Sequence, residues 1–266
     1  MMQIIQIENI NDSRITSYKS MRDNLADNHG NSLFVAESEK VVMKLLQSSL
    51  KIHSILARKE FIYEHNSIIS ERKGIYIFTA NNEILNEIIG FRMHTGVMAL
   101  AEKPENHDLD KLGDRIIFLN NIVDSENVGS IVRNIAAFGF ESIITDKSTS
   151  SPYIRRAVRV SMGTIFSLRH RFTEYTVNTL KYLKNEGYQI ISAEINEKSI
   201  NFSELMFPKK FVLVFGNEAK GIDRYIIDIS DTIIKIPISN KIESLNVAAS
   251  SGILLYEISR QINSVQ

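Results

Sequence analysis

The second half of the chain alternates short apolar runs with amphipathic segments, and this alternation limits the fold more than any other feature. Apolar runs of strand length occur at 115–122, 141–145, 188–195, 210–216 and 231–238. Apolar residues at helical spacing mark 127–139 and 173–187, and a last helix is predicted over 244–262. Strands that alternate with helices form sheets with helices packed on their faces. We therefore predict an open, mostly parallel α/β sheet.

The first half shows the same alternation with shorter segments. Strand-type runs lie at 33–37, 51–58, 74–80 and 95–103, and a weak surface helix is predicted over 13–29. Between the first two strands, apolar residues at helical spacing follow Ser38, which is predicted to cap that helix. The charged segment 106–113 has the composition of a linker. We predict a smaller α/β domain at 1–105 and a larger one at 114–266.

Composition excludes several classes of protein. The chain has 266 residues, no cysteine and a formal net charge of zero. Disulfides and thiolate metal sites are therefore excluded, and a basic binding surface has to be local. The first residues have no basic segment followed by an apolar core, and no stretch has the length of a membrane span. We predict a soluble, cytoplasmic protein without a membrane partner.

Three polar turns follow strands of the larger sheet. They span 124–129, 216–221 and 239–246. In open α/β sheets, ligands bind beyond the carboxyl ends of the strands. Each turn alone is explained as well by a helix cap or a tight glycine turn. Three of them at strand ends favour one shared ligand site.

Common nucleotide and metal motifs are missing from these turns. No P-loop pattern occurs, and no G-x-G-x-x-G follows a strand. The histidines are scattered without metal-ligand spacing, so no metal is predicted. No serine lies in a nucleophile elbow. Kinase-like and dehydrogenase-like functions therefore lose support.

Residues 151–171 form a local basic stretch. They include five arginines and neither aspartate nor glutamate. Because the guanidinium group is well shaped to bind phosphate, Arg155, Arg156 and Arg159 are candidate RNA contacts. The alternative is a helix face whose arginines pair with acids elsewhere in the chain, and composition alone does not choose between the two.

The three turns and their flanks resemble the signature motifs of a known family. The stretches are D-S-E-N-V-G-S-I-V-R-N-I-A-A-F-G (124–139), L-V-F-G-N-E-A-K-G-I (213–222) and I-P-I-S-N-K-I-E-S-L-N-V-A-A-S-S-G-I-L-L-Y-E (236–257). They are similar to the motifs of the SpoU/TrmH-type RNA ribose 2′-O-methyltransferases of the SPOUT class, and they occur in the family order. The resemblance covers residues 114 to 260 closely.

This resemblance implies a fold, a cofactor and partners. The 114–266 domain would contain a deep trefoil knot and bind S-adenosylmethionine with its knot loops. Two copies would form a homodimer with the terminal helix at the interface. Residues 30–103 resemble, more loosely, the family's substrate-binding domain, which is related to small ribosomal RNA-binding proteins. The substrate would be a structured RNA, either tRNA or rRNA.

The resemblance also implies roles for single residues. Arg133 matches the arginine placed at the reacting ribose and its phosphate, and Asn127 matches the polar residue that supports it. Glu218 matches the glutamate of the second motif, and Ser244 and Asn246 match the polar pair of the third. The implied cofactor-binding residues are Gly216, Asn217, Gly221, Ile236, Ile238, Leu245 and Val247.

Two other functions remain to be weighed against RNA 2′-O-methylation. The first is a non-catalytic RNA-binding or ribosome-assembly factor that kept the fold; such a protein is expected to lose some of the five catalytic candidates, and all five are present. The second is an enzyme of the same class that methylates a base, and the S-L-N-V form of the third motif (244–247) argues against it. We carry forward the leading hypothesis, which is RNA ribose 2′-O-methylation that depends on S-adenosylmethionine.

Overall fold

A computed structural model of the chain describes residues 4–20, 32–89, 96–239 and 241–263. They fall into two compact units. The N-terminal unit consists of Met1–Glu105 and Tyr153–Phe166, and the C-terminal unit of Asn106–Pro152 and Ser167–Gln266. The segment Tyr153–Phe166, assigned from sequence to the 114–266 domain, thus packs with the N-terminal unit.

Strands and helices alternate along most of the chain, as predicted. The described strands are β1 (Ile4–Gln6), β2 (Leu33–Glu37), β3 (Ile52–Ala57), β4 (Tyr76–Thr79), β5 (Val97–Glu102), β6 (Arg115–Leu119), β7 (Ser142–Asp146), β8 (Arg169–Thr173), β9 (Gln189–Ala193), β10 (Ile200–Asn201), β11 (Phe211–Phe215) and β12 (Thr232–Lys235). The described α-helices are α1 (Thr16–Ser20), α2 (Glu39–Gln47), α3 (Lys59–Glu64), α4 (Asn66–Ser70), α5 (Asn82–Ile89), α6 (Ser125–Ala137), α7 (Arg155–Val160), α8 (Thr176–Asn185), α9 (Arg224–Ile229) and α10 (Val247–Asn263).

The N-terminal unit contains a five-stranded mixed sheet in the order β1-β4-β3-β5-β2. Strands β1, β4 and β3 are parallel, whereas β5 runs antiparallel to both β3 and β2. Its core includes Tyr18, Leu56 and Phe78, and the Tyr18 hydroxyl lies 2.7 Å from the Ser54 hydroxyl. The predicted helix over 13–29 is described only as far as α1, and residues 21–31 lie outside the described part.

The C-terminal unit contains a seven-stranded sheet in the order β10-β12-β9-β11-β6-β7-β8. Its described strand pairs are all parallel. The central strand β11 is buried along its whole length and pairs with β6 and β9, which confirms the predicted parallel α/β sheet. Strands β8 and β10 were not predicted. Three polar residues, Arg-His-Arg, open β8, and β10 has only two residues, so neither gives an apolar run.

Helix α6 begins at Ser125, two residues before the predicted start. The Asp124 carboxylate caps it by accepting a hydrogen bond of 2.8 Å from the Glu126 amide. At the other end, Gly139 has a φ of +77° and the Phe140 amide donates to the Ile135 carbonyl at 2.9 Å. This is a Schellman ending, in which the glycine takes the left-handed conformation after the helix.

One predicted cap and one predicted helix start differ from the structure. Ser38 precedes α2, but its φ is +79° and its side chain makes no capping hydrogen bond. Helix α10 begins at Val247 rather than at Ser244. Asn246 caps it, because its side-chain oxygen accepts from the amides of Ala248 and Ala249 at 2.9 and 3.3 Å. In the part of the chain described here, no helix combines the length and the apolar character needed to cross a membrane.

A buried carboxylate holds α7 within the N-terminal unit. Glu37, at the end of β2, lies 2.5 Å from the guanidinium of Arg155 and 2.6 Å from that of Arg159. The side chains of Glu37 and Arg155 are only 3% and 6% exposed, whereas Arg159 is 37% exposed. Arg155 also donates to the Tyr18 carbonyl at 3.3 Å. An ion pair this deep is costly to break from one side.

We predict that Glu37→Ala lowers the free energy of unfolding by about 3–5 kcal/mol, because it leaves the Arg155 charge buried without its partner. Urea unfolding of the full chain measures the loss. Glu102→Ala is the matched control: Glu102 also faces two basic side chains, Lys51 and His53, but this cluster is exposed. An equal effect of the two substitutions would contradict the structural role of the buried pair.

Candidate functional site

The parallel sheet of the C-terminal unit places its polar turns at one edge. Strands β6 and β11 are direct neighbours, and β9 lies between β11 and β12. Because all of these strands point the same way, the segments that leave them emerge on the same side of the sheet. The turns after β6, β11 and β12 are those singled out in the sequence.

The turn after β11 is tightly closed by its own hydrogen bonds. The backbone groups of Asn217 and Gly221 exchange two of them, at 2.9 and 3.1 Å. The Asn217 side-chain oxygen accepts from the amides of Ala219 and Lys220, both at 2.9 Å. Its side-chain nitrogen donates to the Asn121 carbonyl at 2.9 Å. Asn217 therefore fixes this turn and ties it to the turn after β6.

Two glycines are required by the closeness of the chain in this turn. A Cβ added at Gly216 would lie 2.6 Å from the Ile222 amide nitrogen and 2.7 Å from the Gly221 carbonyl carbon. At Gly221, where φ is +71°, it would lie 2.5 Å from a carboxylate oxygen of Glu194. Real Cβ atoms do not make contacts this short, so both positions need glycine for space, and Gly221 needs it also for its left-handed backbone.

A chain of side-chain hydrogen bonds links all three turns. The Asn246 side-chain nitrogen donates to the Asn127 side-chain oxygen at 3.0 Å, and the Asn127 nitrogen donates in turn to the Glu218 carboxylate. Helices α6 and α10 are joined farther along by Asn134, which donates to the Ala248 carbonyl and the Ser251 hydroxyl, both at 2.9 Å. Three of the five predicted catalytic residues are thereby brought into direct contact.

A cavity of about 370 Å³ lies beside this hydrogen-bonded chain. Its wall combines apolar side chains, backbone of the turns and a few charged groups. All seven predicted cofactor-binding residues line it, and so do Glu218 and Ser244 of the predicted catalytic set. The predicted members of the wall are Gly216, Asn217, Gly221, Ile236, Ile238, Leu245 and Val247.

Arg133 takes no part in the hydrogen-bonded chain of Asn246, Asn127 and Glu218. It is exposed on α6, and within the described ranges it makes no hydrogen bond or ion pair. Asn127 is on the same helix but about 120° around it, given the 100° turn per residue. The guanidinium of Arg133 is therefore available to a molecule that approaches from solvent.

The three arginines predicted to contact RNA have different surroundings. Arg155 is buried and paired with Glu37, and Arg159 is paired with the same carboxylate. These contacts correspond to the alternative weighed from sequence, pairing with an acid elsewhere in the chain. Arg156 is exposed. RNA binding by this segment therefore stays a prediction, for which Arg156 is the accessible member.

Sequence reasoning missed other polar residues at this edge. Asn120 donates to the carboxylates of Asp146 and Asp223 at 2.7 and 2.9 Å, and its side-chain oxygen accepts from the Asp223 amide. Asp146 also accepts from Thr149 at 2.8 Å. Glu194, at the end of β9, lines the cavity. These residues follow strands but belong to no glycine-bearing turn, so only their position after a strand could have indicated them.

In the part of the chain that the structure describes, no group of three histidine, aspartate or glutamate side chains is placed to hold a metal ion. The polar groups at this edge instead make hydrogen bonds to one another and to backbone amides. The arrangement is suited to an organic ligand held by backbone and apolar contacts, next to a small set of oriented polar groups.

Comparisons with known proteins give a consistent result. The profile of the SpoU rRNA methylase family matches residues 114–256. A protein of Borreliella burgdorferi described as an uncharacterized tRNA/rRNA methyltransferase is 31% identical over 225 residues, which cover 76% of this chain and 98% of that one. The 23S rRNA (guanosine-2′-O-)-methyltransferase RlmB of Ralstonia nicotianae is 30% identical over 200 residues, which cover 72% and 80%.

A solved structure also matches nearly the whole chain. The AdoMet-bound rRNA methyltransferase from Sinorhizobium meliloti superposes with a TM-score of 0.84, covering 97% of this chain and 98% of that one. Its sequence identity is 21%, so the likeness is one of fold.

We predict that Gly221→Ala destabilises the C-terminal unit more than Gly187→Ala does. Both glycines have a left-handed φ, +71° and +85°, and the side chain alone costs about 1–2 kcal/mol there. At Gly187 a Cβ meets nothing within 4 Å, whereas at Gly221 it meets Glu194. Urea unfolding of both variants measures the difference. Equal decreases in the free energy of unfolding would show that the turn can move to accommodate the added methyl group.

Proposed function

Since the chain belongs to the SpoU rRNA methylase family, we propose that it methylates a ribose 2′-hydroxyl of tRNA or rRNA, with S-adenosylmethionine as the methyl donor. The observation that carries this proposal is the contact chain Asn246–Asn127–Glu218 beside the cavity. It brings together, from the three turns, polar side chains that the family motifs predict to act in one site.

The cavity fits the cofactor. Its volume of about 370 Å³ lies within the usual range for small-molecule sites, about 300–1,000 Å³. Apolar side chains of Ile236, Ile238 and Leu245 supply surface for an adenosine, and the Gly216–Gly221 turn supplies backbone groups. When bound, S-adenosylmethionine carries an electrophilic methyl group on a sulfonium. The protein's task is therefore to align the ribose hydroxyl and to stabilise the charge that develops on it.

We assign Arg133 to the RNA. A guanidinium remains protonated in proteins, so Arg133 is poorly suited to accept the hydroxyl proton. It is well suited to hold a phosphate and to stabilise negative charge on the attacking oxygen. Its exposure and its lack of a partner within the described ranges support this role. Asn127 and Asn246, held in place by each other and by Glu218, would orient the ribose.

The RNA is proposed to be a structured tRNA or rRNA. The relatives that support this are the tRNA/rRNA methyltransferase of Borreliella burgdorferi and the 23S rRNA methyltransferase of Ralstonia nicotianae. In our proposal, residues 1–105 capture the RNA together with Tyr153–Phe166, which packs in the same unit. Residues 106–113 connect the two parts, and the rest of 114–266 carries out the transfer. The exposed Arg156 is a candidate phosphate contact in this capture.

A trefoil knot and a homodimer complete the proposal. The first residues of α10 are small, which suits a backbone that passes through a loop, and Asn134 joins this segment to α6. A crystal structure with an unthreaded carboxyl terminus would refute the knot. For the dimer, Tyr256 and Ile253 of α10 are 58% and 39% exposed.

We predict that the chain sediments as a dimer and that Tyr256→Glu shifts it toward the monomer, because a charge would be buried at the α10 interface. The matched control is Tyr225→Glu, since Tyr225 is a similarly exposed tyrosine on α9. Sedimentation velocity compares the three proteins. A monomeric wild-type chain, or an unchanged Tyr256→Glu dimer, would exclude α10 as the interface.

We predict that Arg133→Ala reduces methyl transfer by at least a hundredfold and leaves the affinity for S-adenosylmethionine within about twofold, since Arg133 does not line the cavity. Transfer is measured by nucleoside analysis of RNA from deletion cells after incubation with the protein. A 2′-O-methyl nucleoside is the expected product.

The control for this experiment is Arg224→Ala, because Arg224 is an exposed arginine of the same unit that pairs with Asp228. Full turnover by Arg133→Ala would contradict the proposed role of Arg133 in methyl transfer. A methylated base in place of a methylated ribose would correct the reaction. Cofactor binding without transfer to any cellular RNA would favour the non-catalytic alternative.

A further inference from the structure

Glu194 lies at the junction of three segments that form the cavity. It directly follows β9, and its amide donates to the Ile234 carbonyl of β12 at 3.0 Å. Its carboxylate accepts a hydrogen bond of 2.8 Å from the Ile222 amide, just after the β11 turn. The side chain is partly buried and lines the cavity. Backbone and side chain together fix the position of this carboxylate.

The surrounding chain is shaped to admit the carboxylate. One of its oxygens lies 2.5 Å, and the other 3.1 Å, from where a Cβ at Gly221 would be. A side chain at position 221 would push the carboxylate out of this position. Satisfying the Ile222 amide requires a single acceptor, and a neutral side chain could provide it. The second oxygen and the negative charge are not needed for the turn itself.

Lys220 and Lys235 line the same cavity, but neither makes an ion pair with Glu194. Among the residues that the structure describes, no lysine, arginine or histidine forms an ion pair with Glu194, and its second oxygen accepts no hydrogen bond. Two other acids line the cavity, but Glu218 accepts from Asn127, and Glu243 is exposed to solvent. A partly buried, unpaired carboxylate at a cavity wall is costly unless a ligand supplies the donor.

The geometry points to Glu194 as a cofactor-binding residue that offers its free carboxylate oxygen to a donor or cationic group of S-adenosylmethionine. This inference rests on the proposed function. The ammonium group, the ribose hydroxyls and the sulfonium are the groups that a carboxylate would bind. Whichever of these groups it binds, Glu194 raises the affinity for S-adenosylmethionine above that provided by the backbone and apolar contacts alone.

Isothermal calorimetry with Glu194→Gln tests this. The amide keeps one oxygen for the Ile222 amide and removes the charge. We expect the Kd for S-adenosylmethionine to rise about tenfold or more, with the urea midpoint of the ligand-free protein unchanged. Glu197→Gln, which removes an exposed charge three residues after Glu194 and outside the lining of the cavity, is the matched control and should change the Kd by less than about twofold.

Two further ligands identify the group that is bound. S-adenosylhomocysteine lacks the positive sulfur, and methylthioadenosine lacks the amino-acid part. If Glu194→Gln loses affinity for S-adenosylmethionine alone, the bound group is the sulfonium. If it loses affinity for S-adenosylmethionine and S-adenosylhomocysteine but not for methylthioadenosine, the bound group is the ammonium. If it loses affinity for all three ligands, the bound groups are the ribose hydroxyls. Each of these results supports a direct contact.

Three results would overturn the inference. They are an unchanged Kd in Glu194→Gln, an equal loss of affinity in Glu197→Gln, and a loss of affinity that is accompanied by a lower urea midpoint of the ligand-free protein. If the wild-type protein binds none of the ligands, the proposed function fails together with the inference. If it binds S-adenosylmethionine and Glu194→Gln binds it equally well, only the inference fails.

Discussion

The parallel alignment of the seven strands is the constraint on which the rest of the C-terminal unit depends. In such a sheet every strand delivers its following segment to the same edge. Turns that are far apart in sequence, after β6, β11 and β12, therefore meet in space. The contact of Asn246 with Asn127, 119 residues away, is a direct consequence. A mixed sheet would have sent some of these turns to the opposite edge.

At this edge the turns are held by hydrogen bonds from polar side chains instead of by regular secondary structure. Asn217 and Asn120 each bond to more than one loop, and Asn134 joins two helices. Backbone groups that leave a strand lose their ladder partners, and side-chain amides can replace them because they both donate and accept. This explains why amide side chains recur at the edge and how a mostly irregular wall can enclose a cavity of defined shape.

The arginines of α7 show that the same basic composition can serve to bind phosphate or to form a buried ion pair. A helix that carries Arg155, Arg156 and Arg159 has the charge of a phosphate-binding surface. The fold directs two of the three toward the buried Glu37, which is 118 residues from Arg155. Charge counting cannot anticipate this, because the pairing acid lies in a distant strand. Similarly, Ser38 has the residue type of a cap, but its backbone takes a positive φ and its side chain makes no capping bond.

The sequence by itself determined most of the strands and helices, the parallel sheet and the family, because hydrophobic periodicity and short motifs are local patterns. It also indicated which turns carry the candidate site. The tertiary structure decided which residues meet: Asn127 with Glu218 and Asn246, but not with Arg133. It alone revealed the short strand β10 and the position of Glu194, since neither leaves a periodic signal. Contacts between distant segments depend on the packing of the whole sheet, and no local pattern encodes them.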